Sequence, residues 1–149
     1  MPTTSARSRT DAGVRVTVQF AVARRGIPSP ARLREWTLGH PGITLRIVGE
    51  REGRHINNRF RNIDRATNVL SFDTGDIVLC HPVITREARE QGKTIAAHYA
   101  HLVVHAVLHL RGYDHNMKRE AGRMERAERR ILARLGFADP YAVKSALPR

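Results

Sequence analysis

The sequence predicts an α+β fold in a single domain, with a small mixed sheet of about four strands packed with about five helices around a buried central helix. Three observations carry this expectation. Apolar residues alternate with polar ones in two well-separated runs, helical stretches with recognisable ends are interspersed with them, and one late stretch is apolar around almost its whole circumference. At 149 residues and 41% hydrophobic content, the chain can bury one genuine core but has little room for two.

Residues 1–13 are rich in Ser and Thr, carry Arg7 and Arg9 and lack apolar periodicity, so a flexible basic N-terminal tail is expected there. The folded domain is then expected over 14–141, with a short C-terminal tail over 142–149. Val14, Val16, Val18, Phe20 and Val22 alternate with Arg15, Thr17, Gln19 and Ala21, the period of a half-buried strand. Ser29 and Pro30 open a short helix as N-cap and first helical residue, with Leu33 and Trp36 facing inward and an end near Gly39. Ile43, Leu45 and Ile47 make a second strand. Glu50 to Arg61 carries Ile56 and Phe60 four apart, the pattern of a short amphipathic helix ringed by Arg51, Arg54, Arg59 and Arg61. Val69 to Phe72 and Ile77 to Cys80 are short apolar segments joined by a turn at Asp73-Thr74-Gly75-Asp76. Pro82 opens a helix that Gly92 closes. The all-round apolar stretch runs from Thr94 to Arg111, with Gly112 where a left-handed cap belongs, and Lys118 to Leu135 forms the last helix.

Charge and cysteine content narrow the function classes. Lys and Arg total 26 against 14 acidic residues, giving a net charge of +12, and this excess points toward polyanions. A single cysteine, Cys80, excludes an intrachain disulfide framework and any Cys-based structural zinc site, and fits a reducing compartment. The N-terminus has no apolar signal region, and the greasiest stretch, His101 to Leu110, spans ten residues and includes three histidines. That is too short for a membrane span, so a cytoplasmic location is expected.

Five of the eight histidines fall between positions 98 and 115. At roughly 100° per residue, His98, His101, His105 and His109 lie within about 80° of one another on the central helix. Two histidines at i and i+4 on one stripe can reach the same metal ion, because their side chains lie one above the other. Spacing alone leaves His101/His105 and His105/His109 equally open as that pair. His115, just past the Gly112 break, can fold back toward His105 and His109 and so favours the latter. Taken singly, His98 and His101 are better explained as core histidines with hydrogen-bond partners. A three-imidazole site keeps the full charge of the metal, leaves the fourth position to water and lowers that water's pKa to near 7. Ala106 stands where a zinc protease would carry its glutamate base, so peptide hydrolysis is disfavoured. Asp114 is a candidate partner for one of the imidazoles.

His105-Ala106-Val107-Leu108-His109-Leu110-Arg111-Gly112-Tyr113-Asp114-His115 resembles the H-G-x-L-H-L-x-G-Y-D-H motif of the YbeY-type endoribonucleases, bacterial rRNA maturation factors. A second block, Ile56-Asn57-Asn58-Arg59-Phe60-Arg61, then Asp64 and Thr67-Asn68-Val69-Leu70-Ser71-Phe72, is similar to that family's L-N-x-x-Y-R-x-x-D-x-x-T-[DN]-V-L-S-F. Gly75-Asp76-Ile77 and Gly136-Phe137-Ala138-Asp139-Pro140-Tyr141 fit as well, so the resemblance extends roughly from Val14 to Tyr141. It implies a metal-dependent endoribonuclease holding one zinc ion through His105, His109 and His115, with Arg61 as the functionally important arginine. It further implies cleavage of single-stranded RNA in rRNA maturation, at the small-subunit rRNA 3′ end, and in ribosome quality control. Rather than acting by itself, His105 would take part in catalysis as a metal ligand that activates water. Two departures stand out: Ala106 replaces the family's Gly, and the loop between Phe72 and Gly75 is short.

The last helix adds evidence about the partner. Arg119, Arg123, Arg126, Arg130 and Arg134 fall within about 80° on one face at roughly 100° per residue, opposite Met124, Ile131 and Leu135. Like charges at i, i+4 weaken a helix, so this stripe, with Arg59 and Arg61, is a candidate RNA-binding surface. The rival readings are a non-catalytic rRNA-binding assembly factor with a structural metal, and a metallohydrolase acting on a small substrate. An open fourth coordination position argues against the former, and the +12 charge against the latter.

Overall fold

The computed structural model describes residues 15–113 and 118–142. The expected tails therefore lie outside the described residues apart from Ala142, as do Asp114 and His115. The described elements run β1 (Val16–Phe20), α1 (Pro30–Glu35), β2 (Ile43–Val48), α2 (Glu50–Arg61), β3 (Val69–Ser71), β4 (Asp76–Cys80), α3 (His81–Gln91), α4 (Ile95–Leu110) and α5 (Lys118–Arg134). The mixed sheet and the helical complement are those the sequence predicts.

The sheet has the order β1-β2-β4-β3. β1, β2 and β4 are parallel, in a register that pairs Val18 with Leu45 and Leu45 with Ile77, while β3 runs antiparallel along β4 with Leu70 opposite Val78. A short hairpin joins β3 to β4, and Gly75 makes it possible. Its φ is +96°, and a Cβ there would sit 2.3 Å from the Gly42 carbonyl oxygen, so only glycine fits.

Alternation along the strands divides the apolar residues between two faces. Leu45, Ile47, Ile77 and Leu79 face the main core, where they meet Leu33 of α1, Trp36 at its C-cap and Val103, Val104 and Val107 of α4. Val48, Val78 and Cys80 face the other way and pack with Ile56, Ala66, Leu70 and Phe72. On that second face α2 comes close to the sheet because residue 53 is glycine: a Cβ there would lie 3.1 Å from Cys80 Sγ. Asn62, in the left-handed conformation, stops α2 and returns its N–H to the carbonyls of Asn57 and Asn58. Buried Asn57 then donates to the Arg65 carbonyl at 2.7 Å, holding the segment that leads into β3.

The central helix α4 starts at Thr94, whose hydroxyl accepts from the Ala97 N–H at 3.0 Å, and it ends at Gly112 with φ +105°. Tyr99, Ala100, Val103, Val104 and Val107 are fully buried, as an all-round apolar helix requires. In α5, Met124, Ala127 and Leu132 are buried and the five stripe arginines are exposed. Phe60 departs from its expected place on an inner helix face, being 55% exposed. No helix among the described residues is long and apolar enough to cross a membrane.

Candidate metal centre and nucleic-acid cleft

The histidine stripe of α4 meets two carboxylates, Glu87 at His98 and Glu128 at His101 and His105. His98 is buried, and its Nε2 donates to Glu87 Oε1 at 2.8 Å; the same oxygen accepts from Asn68 Nδ2 at 2.9 Å. Burial lowers the His98 pKa and Glu87 only partly opposes this, so the ring is neutral at pH 7. It is the hydrogen-bonded core histidine that the sequence favours for this position taken singly.

His101 and His105 share a partner that sequence reasoning missed. Glu128 of α5 is fully buried, and its two oxygens accept from His101 Nε2 at 3.1 Å and His105 Nδ1 at 2.5 Å. The Tyr141 hydroxyl donates to the same carboxylate and lies 3.2 Å from His101 Nε2. Burial alone would raise the Glu128 carboxyl, but the hydrogen bonds from His101, His105 and Tyr141 outweigh it and hold the pKa at about 2. An ionised carboxylate only accepts, so the nitrogens facing it carry the protons. The lone pair of His105 is thereby assigned to Nε2. A carboxylate behind one ring nitrogen, orienting the other toward a ligand, is the usual support of a metal-binding histidine.

A signal for Glu128 existed in the sequence. At about 100° per residue it lies within roughly 60° of Met124, Ile131 and Leu132 on the apolar face of α5, where an acidic residue is stable only with buried partners.

Arg61 reaches the same region from α2. Its guanidinium donates to the Ser71 carbonyl at 3.0 Å and to the Phe60 carbonyl at 3.3 Å, and lies 4.7 Å over the Phe72 ring. A cleft of about 330 Å³ is lined by Arg61, Asn68, Ser71, His105 and His109, among others. Three of the predicted site residues, from two distant stretches of the chain, thus share one cleft. Arg59 sits outside this lining with its guanidinium 5.5 Å over the Phe60 ring, and His115 lies outside the described residues. The arginine stripe is not brought to the cleft. Arg119, Arg123, Arg126, Arg130 and Arg134 are exposed, on the opposite side of α5 from the buried Glu128.

Among the described residues, His101, His105 and Glu128 have ligand atoms within 4.8 Å of one another and could hold a metal ion. The donor set suits a transition metal such as zinc, which takes imidazole nitrogen and carboxylate oxygen. His105 belongs both to this enclosed group and to the cleft wall, where His109 lies one turn farther along.

The sequence profile of the endoribonuclease YbeY family matches residues 31–136. The chain belongs to the endoribonuclease YbeY family. The relative from Xanthomonas oryzae pv. oryzae, named Endoribonuclease YbeY, is 45% identical over 149 residues, covering 85% of this chain and 92% of its own length. The Alkalilimnicola ehrlichii relative of the same name is 50% identical over 83% of this chain and 89% of its own. For the Nitrosomonas eutropha Endoribonuclease YbeY the identity is 49%, over 87% and 99%. A solved structure, the solution structure of a Thermotoga maritima protein, matches with a TM-score of 0.53 over 87% of this chain and all of that one. At 22% identity it supports the fold alone. Membership of a family of endoribonucleases directs attention to the cleft, whose lining combines an arginine with two imidazoles.

Glu128→Gln keeps the side-chain shape but offers an amide that cannot accept from three donors. It should destabilise the metal-free protein by about 3 kcal/mol in urea unfolding, the usual cost of breaking a buried charged network. A loss under about 1 kcal/mol would mean that the carboxylate does not hold the rings.

Proposed function

We propose that this chain is a zinc-dependent endoribonuclease specific for single-stranded RNA, holding one zinc ion through His105, His109 and His115. Its role would be rRNA maturation in the cytoplasm, at the small-subunit rRNA 3′ end, and ribosome quality control, with rRNA or the small ribosomal subunit as partner. The observation that carries this reading is the shared cleft: Arg61, His105 and His109 line one space of about 330 Å³.

Zinc bound there would supply a Lewis acid that eases loss of a proton from water near neutral pH. The chain's own groups do the positioning. Glu128 holds His105 with its Nδ1 proton turned inward, which presents Nε2 as the ligand nitrogen. Two carbonyls hold the Arg61 guanidinium, and it has further N–H donors to meet phosphate oxygens as charge builds in the transition state. The net charge of +12 favours a polyanionic substrate. Arg59 and the exposed face of Arg119, Arg123, Arg126, Arg130 and Arg134 would follow the RNA backbone or the ribosome surface at a distance from the chemistry.

A second reading has its own observation. The enclosed group of His101, His105 and Glu128 would suit a structural metal in a non-catalytic assembly factor. Against it, the Glu128 oxygens are engaged by two imidazoles and the Tyr141 hydroxyl, the arrangement of an orienting carboxylate.

Zinc analysis of variants separates the two readings. His109→Ala should drop the zinc content sharply, while His98→Ala and His101→Ala stay near one per chain; loss on His101→Ala with retention on His109→Ala would favour the enclosed site. Arg61→Ala should lower the cleavage rate at least tenfold, about 1.4 kcal/mol, with zinc content unchanged. Activity within about twofold of the parent would remove Arg61 from the chemistry. Changing Arg123, Arg126 and Arg130 to Gln should weaken RNA binding and flatten its salt dependence by about 0.7 in log–log slope per lost phosphate contact. An unchanged slope would make the stripe a solvated face.

A further inference from the structure

Phe60 stands out as a large apolar side chain left in water: it is 55% exposed, and neighbouring Ile63 is 41% exposed. One turn earlier on α2, Ile56 packs against the sheet, so helical periodicity would bury Phe60 as well. The sheet gives it little to pack on, because β3 ends at Ser71. What Phe60 meets is the ring of Phe72, edge to face, with centroids 5.4 Å apart and planes at 71°.

The surroundings of that ring are cationic and ordered. Arg59 lies 5.5 Å over Phe60, Phe60 packs on Phe72, and Arg61 lies 4.7 Å over Phe72. Arg61 in turn forms part of the cleft wall with His105 and His109. Two guanidiniums therefore flank a pair of packed rings, in a row that ends at the candidate reaction centre. A nucleic-acid strand presents the complementary order, a base between two phosphates. An aromatic face can stack on any base, but only when that base is unpaired and turned out of a helix.

We propose that Phe60, seated on Phe72 and flanked by Arg59 and Arg61, is a stacking platform for an unpaired RNA base adjacent to the cleaved bond. The proposal rests on the endoribonuclease reading and deepens it by naming a residue that selects single strands. Exposure of the ring has a use under this proposal: base stacking supplies the cover that the sheet does not. Phosphates flanking the stacked base would meet Arg59 on one side and Arg61 on the other.

The test uses zinc-loaded protein and a short single-stranded oligoribonucleotide whose cleavage position has been mapped with the parent. Single-turnover cleavage yields the protein concentration at half-saturation and the rate at saturation. Phe60→Ala should raise the half-saturating concentration about tenfold, and Phe60→Tyr should restore it. An abasic ribose beside the mapped position should cost the parent a similar factor and cost Phe60→Ala almost nothing, since ring and base would be lost as one contact. Zinc content and thermal unfolding should not change in Phe60→Ala. Unchanged half-saturation, or ring and base penalties that simply multiply, would overturn the platform and leave the exposed ring for a protein partner. Loss of zinc or of the folded state would show Phe60 to be structural and would overturn it too. If the parent itself cleaves no RNA, the proposed function fails, and the platform fails with it for that separate reason.

Discussion

The buried carboxylate of Glu128 is the constraint on which the candidate site depends. A charge removed from water survives only with compensating partners, and here three donors, two from α4 and one from the C-terminal segment, converge on it. Their convergence ties α5 to α4 and brings the Asp139–Tyr141 segment back over the histidine stripe. Asp139 is itself held by Arg129 at 3.2 Å and accepts from the Tyr141 N–H at 2.8 Å. One acidic side chain thus sets helix packing, the course of the chain after α5 and the proton positions on two imidazoles.

The second half of the site comes from the opposite end of the fold. α2 lies close to the sheet because Gly53 has no side chain to keep it from Cys80, and it ends where Asn62 takes a left-handed turn. Arg61, one residue before that turn, is then within reach of the Ser71 carbonyl at the end of β3. Asn68 connects the two halves: it contributes to the cleft wall and shares Glu87 with His98 of α4. The cleft is the meeting point of a helix end, an edge strand and a buried helix, all of them held by polar contacts. Such rigid support suits a site that must hold charged groups in place before substrate arrives.

Much of this was legible in the residues because the signals are local. Ser29-Pro30, Thr94, Gly92 and Gly112 mark helix ends through their own backbone preferences, and alternation in β1 and β2 needs no knowledge of their neighbours. The strand order β1-β2-β4-β3 was not legible, since pairing between distant segments leaves no local mark. Periodicity places Phe60 in an amphipathic pattern with Ile56; its exposure is a matter of tertiary packing, which leaves no local mark. Glu128 is an acidic residue on the same helix face as Met124, Ile131 and Leu132, a conflict between residue type and helical position that the sequence displays. Conflicts of that kind mark the places where a sequence departs from packing rules for a purpose. The shared cleft of Arg61 with His105 and His109 was legible only through family resemblance, because no periodicity relates positions so far apart.

The proposed site requires that Glu128 fix the proton of His105 on Nδ1, with Nε2 as the nitrogen that would bind the metal. Nitrogen-15 NMR of the imidazole rings in zinc-loaded protein tests it most directly, because each ring nitrogen reports whether it carries a proton, a lone pair or a metal. The expected result is a protonated Nδ1 and a metal-bound Nε2 for His105, with the Nδ1 proton shifted far downfield by the carboxylate. A His105 ring bound to zinc through Nδ1, or one protonated at Nε2 with zinc present, would contradict it.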